Sequence, residues 1–186
     1  MIVIGLDIST TATAYCILKK EEDKINLLEA ESINVSEKDN LYDKAILVRK
    51  KFIELSKKYK FDKISVEESL QSFRPGFSSA KTLTTLSKFN GIVCYLAQDI
   101  FGLNISFANV IHVRSFLGIK ISKKDNVSSK ERVFEYILGR EEFKNFNWPK
   151  KILKNGKRKG EEVFETFCYD ISDASMMSLF GVISTH

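Results

Sequence analysis

The chain has 186 residues, 44% hydrophobic and 28% charged, with only nine glycines and two prolines. That is enough length for one domain with a buried core and too little Gly and Pro for long flexible linkers. No apolar run of about 18 residues is present, which excludes a membrane-spanning helix, and the first residues lack the positive leader of a signal peptide. Cys16, Cys94 and Cys168 are odd in number and widely spaced among apolar neighbours. This argues against a disulfide framework or a zinc cluster and for a reducing, intracellular setting.

The net charge of +5 is unevenly spread. Lys144, Lys150, Lys151, Lys154, Lys157, Arg158 and Lys159 fall between positions 144 and 160 with no acid among them, so this arm carries +7 and the rest of the chain −2. A solvated charge run is the plain explanation. The aromatic and turn residues interleaved with the charge favour contact with a polyanion.

In chain order, residues 1–7 and 12–20 read as two strands around a tight turn at "DISTT", and Ile25 to Val35 as a third. Tyr42 to Tyr59 has amphipathic helical spacing. Asp62 to Glu68, "DKISVEE", reads as a short buried strand ending in two acids. A long helix follows to Phe101, with Ser78 or Ser79 available as its cap and Gly91 expected at a close approach between backbones. "LNISFANVIHV" reads as a strand and turn leading to a short helical piece at 113–117. Ser128 or Ser129 is placed to cap a helix through Leu138. Asn155-Gly156, between Ile152-Leu153 and Val163-Phe164, suggests a hairpin turn, and a closing helix spans 167–183. Early strands, intervening helices and a closing helix make an α/β layered fold with a mixed sheet.

Three acidic spots interrupt apolar sequence. Asp7 ends the first strand, Glu67 and Glu68 end the "ISVEE" strand, and Asp170 and Asp173 share one face of the closing helix. A capping role accounts for Asp170 alone but not for Asp173 or Asp7. Converging carboxylates raise one another's pKa unless cations compensate. Hard divalent ions with oxygen ligands, Mg²⁺ or Mn²⁺, are the natural partners, and two of them can drive phosphodiester hydrolysis.

"IGLDIST" followed by "TAYCIL", then "ISVEES", then "YDISDA", resembles in order the RuvC-type Holliday junction resolvases of the RNase H-like superfamily, over most of 1–138 and 167–184. The resemblance implies a single RNase H-like domain with a mixed five-stranded sheet flanked by helices and a basic insertion at about 139–166. It implies a homodimeric endonuclease that nicks two strands of a four-way DNA junction symmetrically. Asp7, Glu67, Asp170 and Asp173 would hold two Mg²⁺ ions, for which Mn²⁺ can substitute. The resemblance prefers Glu67 to Glu68, since Glu67 follows "ISV" where the family has its strand-ending Glu, and alternation lets only one of the two point at the metals. DNA contacts carried over are Arg114 and Lys130, each otherwise an ordinary surface cation. The loop "SLQSFRPGFSSAK" has Leu70 where the family has an aromatic, so Phe73 is the substitute for stacking or wedging, with Arg74 and Lys81 on phosphates. The basic residues Lys150, Lys151, Lys154, Lys157, Arg158 and Lys159 are expected along a DNA arm. Dimerisation is expected through the helix containing Leu83 to Leu96, the location cytoplasmic and the source a phage or virus.

Other readings stay open on sequence grounds. Within nucleases these are flap, Y-shaped or RNA–DNA hybrid substrates. Outside them, "GLDISTTATAY" also resembles the first phosphate motif of actin- or sugar-kinase-like ATPases, which need a second lobe and more glycine-rich loops. A non-catalytic binder of branched DNA would gain nothing from carboxylates that repel phosphate.

Overall fold

The computed structural model describes residues 1–68, 80–121 and 127–184. Its centre is a five-stranded sheet. Strands β1 (Ile2–Ile8), β2 (Ala12–Glu21) and β3 (Lys24–Asn34) form an antiparallel meander. Strands β4 (Lys63–Glu67) and β5 (Ile105–Ala108) add in parallel on the other side of β1, giving the order β3-β2-β1-β4-β5. Helices α1 (Leu41–Lys58), α2 (Ala80–Phe101), α3 (Val110–Phe116), α4 (Ser129–Leu138) and α5 (Phe167–Ile183) supply the layers. A short hairpin, β6 (Lys150–Ile152) with β7 (Glu162–Phe164), precedes α5.

Period-two alternation sorts the strands onto two cores. Ile4, Leu6, Ile8, Tyr15, Ile17, Ile64 and Val66 pack with Val48, Phe52 and Leu55 of α1 and Phe89, Val93 and Ala97 of α2. Val3, Ala14, Cys16 and Leu18 face the opposite way, into a core with Ile171, Ala174, Met177 and Val182 of α5 and Val133, Phe134 and Ile137 of α4. Helix α5 is buried from Ile171 to Leu179 between the sheet and other helices, with Ser172, Asp173, Ser175 and Ser178 among its buried residues. The three cysteines are buried and free. Among the described residues no helix is long and apolar enough to cross a membrane.

Local signals explain most boundaries. The Asn40 side chain accepts from the Asp43 N–H to start α1, and Ser128 with Glu131 makes a capping box at α4. Asn109 caps α3 three residues earlier than the helical piece expected at 113–117, because its carboxamide accepts from Ile111 and His112. The serines read as the cap of α2 lie outside the described residues.

One expectation needs correction. Gly91 is no close-approach point: a Cβ there would meet nothing within 4 Å, because the residue is on the solvent side of α2. The close approaches are at Gly5 and Gly181. A Cβ on Gly5 would lie 2.3 Å from the Ala174 carbonyl oxygen and 2.4 Å from the Ser178 nitrogen, and one on Gly181 2.7 Å from a Val3 methyl. The hairpin expected around Asn155-Gly156 is present. Its strands end at Ile152 and Glu162, and the Leu153 N–H donates to Glu161 across the tip.

Candidate active site

Helix α5 lies against β1 with almost no space between the backbones, since both glycines replace side chains with contact. Ser178 Oγ donates to the Val3 carbonyl at 3.2 Å. At the far end, Lys63 Nζ reaches the carbonyl oxygens of Gly181 and Ser184, 3.4 and 3.5 Å away, at the negative end of the helix dipole. The start of β4 thus meets the end of α5, so the start of α5 meets the ends of β1 and β4. Asp170 and Asp173 are on that first stretch of α5.

The acids on the strands meet them there. Leu6 of β1 stands opposite Val66 of β4 in the parallel register, which sets the next pair, Asp7 and Glu67, side by side. Both alternate onto the α5 face, since Leu6 and Val66 point into the other core. Glu68, one residue on, is exposed, and its N–H continues the ladder to the Ala108 carbonyl. The structure therefore brings Asp7, Glu67, Asp170 and Asp173 to one place, at the carboxyl ends of parallel strands.

Their electrostatics follow from that crowding. Asp173 is 6% exposed, and its Oδ1 is buried without a hydrogen-bond partner. Burial, reinforced by Asp173, Asp170 and Glu67, pushes the Asp7 carboxyl up to about 8. Burial also raises Asp173 to about 6, against the pull of Lys130 and Arg114, and raises Glu67, with the Asp173 charge adding to it. A set of oxygen donors that repel one another and are short of hydrogen-bond donors suits a hard divalent cation.

Two cations stand against the acids. Lys130, in the first turn of α4, has its Nζ 3.1 Å from Asp170 Oδ1 and 3.7 Å from Asp173 Oδ2. Burial disfavours this ammonium, yet Asp170, Asp173 and Asp7 outweigh that and raise its pKa. Arg114, in the last turn of α3, acts electrostatically on both Glu67 and Asp173, and its Nε is buried without a partner. As the side chains stand, no three of the described His, Cys, Asp and Glu residues converge tightly enough to hold one ion. The Lys130 ammonium supplies the positive charge to Asp170 and Asp173 instead.

The acids open onto a cavity of about 220 Å³ lined by Asp7, Ser9, Glu67, Glu68, Lys130 and Asp170, with Leu83, Leu86, Ser87 and Asn90 of α2 as the facing wall. Leu83 and Leu86, expected at a dimer surface, thus line this cleft. A wider hollow of about 720 Å³ between β3 and Glu141–Phe146 lies apart from these acids. Within its lining, Glu29 is bonded by Tyr15 and Tyr59 and Glu142 by Arg140. The cleft beside Asp7 holds acids whose pKa is raised by burial and by one another, which makes it the candidate site.

The remaining expected residues are dispersed. Phe73 and Arg74 lie outside the described residues, and Lys81 is exposed in the first turn of α2. The basic arm folds onto its own acids. Lys150 pairs with Glu162 at 2.7 Å, Lys151 with Glu165 at 2.9 Å and Arg158 with Glu161 at 2.6 Å. Gly5, Gly181, Ser178 and Lys63, which hold α5 in place, are absent from the sequence reading. The glycine in "IGLD" is the one available signal, because glycine inside a strand marks close backbone approach.

Strand order, the covering helices and the buried closing helix define an RNase H-like fold. Solved structures with this architecture include RuvC of Thermus thermophilus in complex with a Holliday junction substrate, at TM-score 0.68 and 17% identity, covering 100% of this chain and 98% of that one. The yeast mitochondrial Holliday junction resolvase Ydc2 matches at TM-score 0.56 and 20% identity, covering 95% and 75%. The fowlpox virus Holliday junction resolvase matches at 0.54 and 16%, covering 100% of both chains. At these identities the shared property is the fold. No protein-family model and no curated protein sequence matches the chain.

Proposed function

We propose that this protein is a structure-selective DNA endonuclease that resolves four-way junctions by paired, symmetric nicks. The observation that carries the reading is that Asp7, Glu67 and Asp170 line one cleft with Asp173 buried beside them, and that the pKa values of Asp7, Glu67 and Asp173 are raised. The structural likeness to junction resolvases supports branched DNA among the possible phosphodiester substrates.

In this mechanism Asp7, Glu67, Asp170 and Asp173 would hold two Mg²⁺ ions, or Mn²⁺. Bound there, such ions supply a water nucleophile at neutral pH and neutralise the charge on the leaving oxygen. The chain's own residues prepare the site. Burial of Asp173 fixes its carboxylate on the rigid helix, and the α5 packing fixes Asp170 beside it. Lys130 holds Asp170 and Asp173 in place with its ammonium at the mouth of the cleft, and Arg114 keeps a compensating charge beside Glu67 and Asp173. The Leu83–Leu86 wall of α2 restricts water on the other side of the reacting phosphate.

Two such sites are needed for paired cuts, so the acting species is a homodimer working in the cytoplasm of a bacterial cell or infected host. A panel of synthetic substrates with Mg²⁺ tests the substrate choice: four-way junction, flap, Y, linear duplex and RNA–DNA hybrid. Paired nicks at symmetric positions of the junction, well above cleavage of the rest, support resolution. Preferential cutting of flap, Y or hybrid would move the protein to another nuclease class. ATP turnover without DNA cleavage would favour the ATPase reading.

A further inference from the structure

The hairpin of β6 and β7 is basic in sequence, but the structure divides its cations into two groups. Lys150, Lys151 and Arg158 each pair with a glutamate that follows the arm. Lys150 also lies over the Phe164 ring, 5.5 Å from its centroid. Lys154, Lys157 and Lys159 are exposed and form no ion pair among the described residues. From Lys150 to Glu165 six cations face three acids, and the uncompensated +3 sits on the tip.

This tip is held, not trailing. Phe164 stacks edge-on to Phe134 at 4.9 Å, and Phe134 to Trp148 at 5.1 Å, so the base of the hairpin is sewn into the α4–α5 core. The Glu165 N–H donates to the Pro149 carbonyl at 2.9 Å, and Cys168 Sγ donates to the same oxygen at 3.4 Å. Two residues separate β7 from the start of α5, the helix that bears Asp170 and Asp173. The tip is internally bonded too: the Gly160 N–H donates to Leu153 and the Lys159 N–H to Gly156, with positive φ at Gly156 and Gly160.

We infer that the hairpin is an outboard duplex clamp, in which Lys154, Lys157 and Lys159 bind the phosphate backbone of one DNA arm at a fixed offset from the acid cleft. The inference rests on the proposed DNA substrate and adds its reach. Three ammonium groups on a small rigid loop fit a run of phosphates, whereas the glutamate-paired cations stiffen the hairpin and contribute little binding charge. Because the hairpin and α5 share one core, the clamp sets a minimum arm length.

The test measures binding of a four-way junction and of a plain duplex by full-length protein, in chelator so that nothing is cut, across a series of salt concentrations. K154Q/K157Q/K159Q is expected to lower the slope of log affinity against log salt by about 2.7, from about 0.9 per phosphate contact. Between 50 and 200 mM salt that is a difference of about 40-fold in affinity loss. K150Q/K151Q is expected to change the slope by less than one. Shortening the junction arms stepwise should weaken wild type at a length where the triple variant is already insensitive. Equal slopes for wild type and the tip variant overturn the clamp, as does an equal loss in both variants. Equal weakening on duplex RNA would overturn the assignment to DNA. Junction cleavage in Mg²⁺ is scored separately, so a protein that never cuts sinks the nuclease reading while the binding slopes still judge the hairpin.

Discussion

The two faces of the central sheet are made by alternate residues of the same strands, yet they solve different problems. One face carries Ile4, Leu6, Ile8, Ile64 and Val66 and buries them against α1 and α2. The other carries Gly5, Asp7, Ser65 and Glu67 toward α5. The first face gains stability from apolar area. The second gives up area at each of these positions, and obtains close backbone contact and a cluster of charges that destabilise one another. The α5 face keeps a core of its own around Val3, Cys16 and Leu18, so the acids at its end sit on a packed support.

Substitutions at neighbouring residues can break this contrast. The largest effect is expected from Gly5→Ala. Its new Cβ would fall 2.3 Å from Ala174 O and 2.4 Å from Ser178 N, both backbone atoms that cannot swing aside. Helix α5 must shift, so the variant is expected to lose cleavage entirely and roughly 3 kcal/mol or more of stability in urea unfolding. Leu6→Ala, one residue away on the apolar face, should cost a similar ~2–5 kcal/mol. It should nevertheless keep its cleavage rate per folded molecule. Loss of cleavage in folded Leu6→Ala would erase the distinction between the faces.

Asp7→Asn should separate activity from stability, with a loss in cleavage rate on the order of 10³-fold. The pH dependence of the metal-free protein should also change. With Asp7 pushed up to about 8 from an ordinary 3.8, the folded state keeps a proton that the unfolded state releases above pH 4. The Asp7 contribution to stability is then full below about pH 4 and is lost as pH rises toward 8, by up to about 1.4 kcal/mol per unit. Thermal midpoints in chelator at pH 5, 6.5 and 8 should decline for wild type and decline less for Asp7→Asn. Excess Mg²⁺ should raise the wild-type midpoint most at pH 8. Parallel profiles for the two proteins would remove the electrostatic argument.

Smaller effects sharpen the picture of how α5 is seated. Ser178→Ala loses the bond to the Val3 carbonyl and should cost about 1 kcal/mol. Lys63→Gln removes the charge beside the last carbonyls of α5 and should cost about 0.3–1 kcal/mol, less at high salt. Denaturant midpoints resolve both, and neither variant should change the pH profile.

Much of this arrangement is legible in the chain. The strand–strand–strand–helix–strand order and the closing helix follow from periodicity, and the start of α4 from Ser128 as its cap, whereas the Asn40 and Asn109 caps show only in the structure. The acids stand out because Asp7, Glu67, Asp170 and Asp173 break apolar runs. What periodicity does not carry is contact between distant segments. Nothing in "NGIV" tells that Gly91 faces solvent, or in "IGLD" that Gly5 meets Ala174 and Ser178, because the distinction lies in which neighbour arrives. The basic arm misleads for a similar reason. Glu161, Glu162 and Glu165 follow the cationic run in sequence but return across the hairpin to neutralise half of it. The placement of Lys130 and Arg114 against the acids depends on α3 and α4 both docking on α5.

The central claim is that the α5 face assembles a metal-dependent site for cutting junction DNA. An end-labelled four-way junction incubated with wild type, Asp7→Asn and Asp173→Asn, in Mg²⁺ and in chelator, tests it most directly. Symmetric paired nicks by wild type in Mg²⁺ alone, with both variants inactive though folded and junction-binding, is the expected result. Nicking in chelator, or at the wild-type rate by either variant, would contradict it.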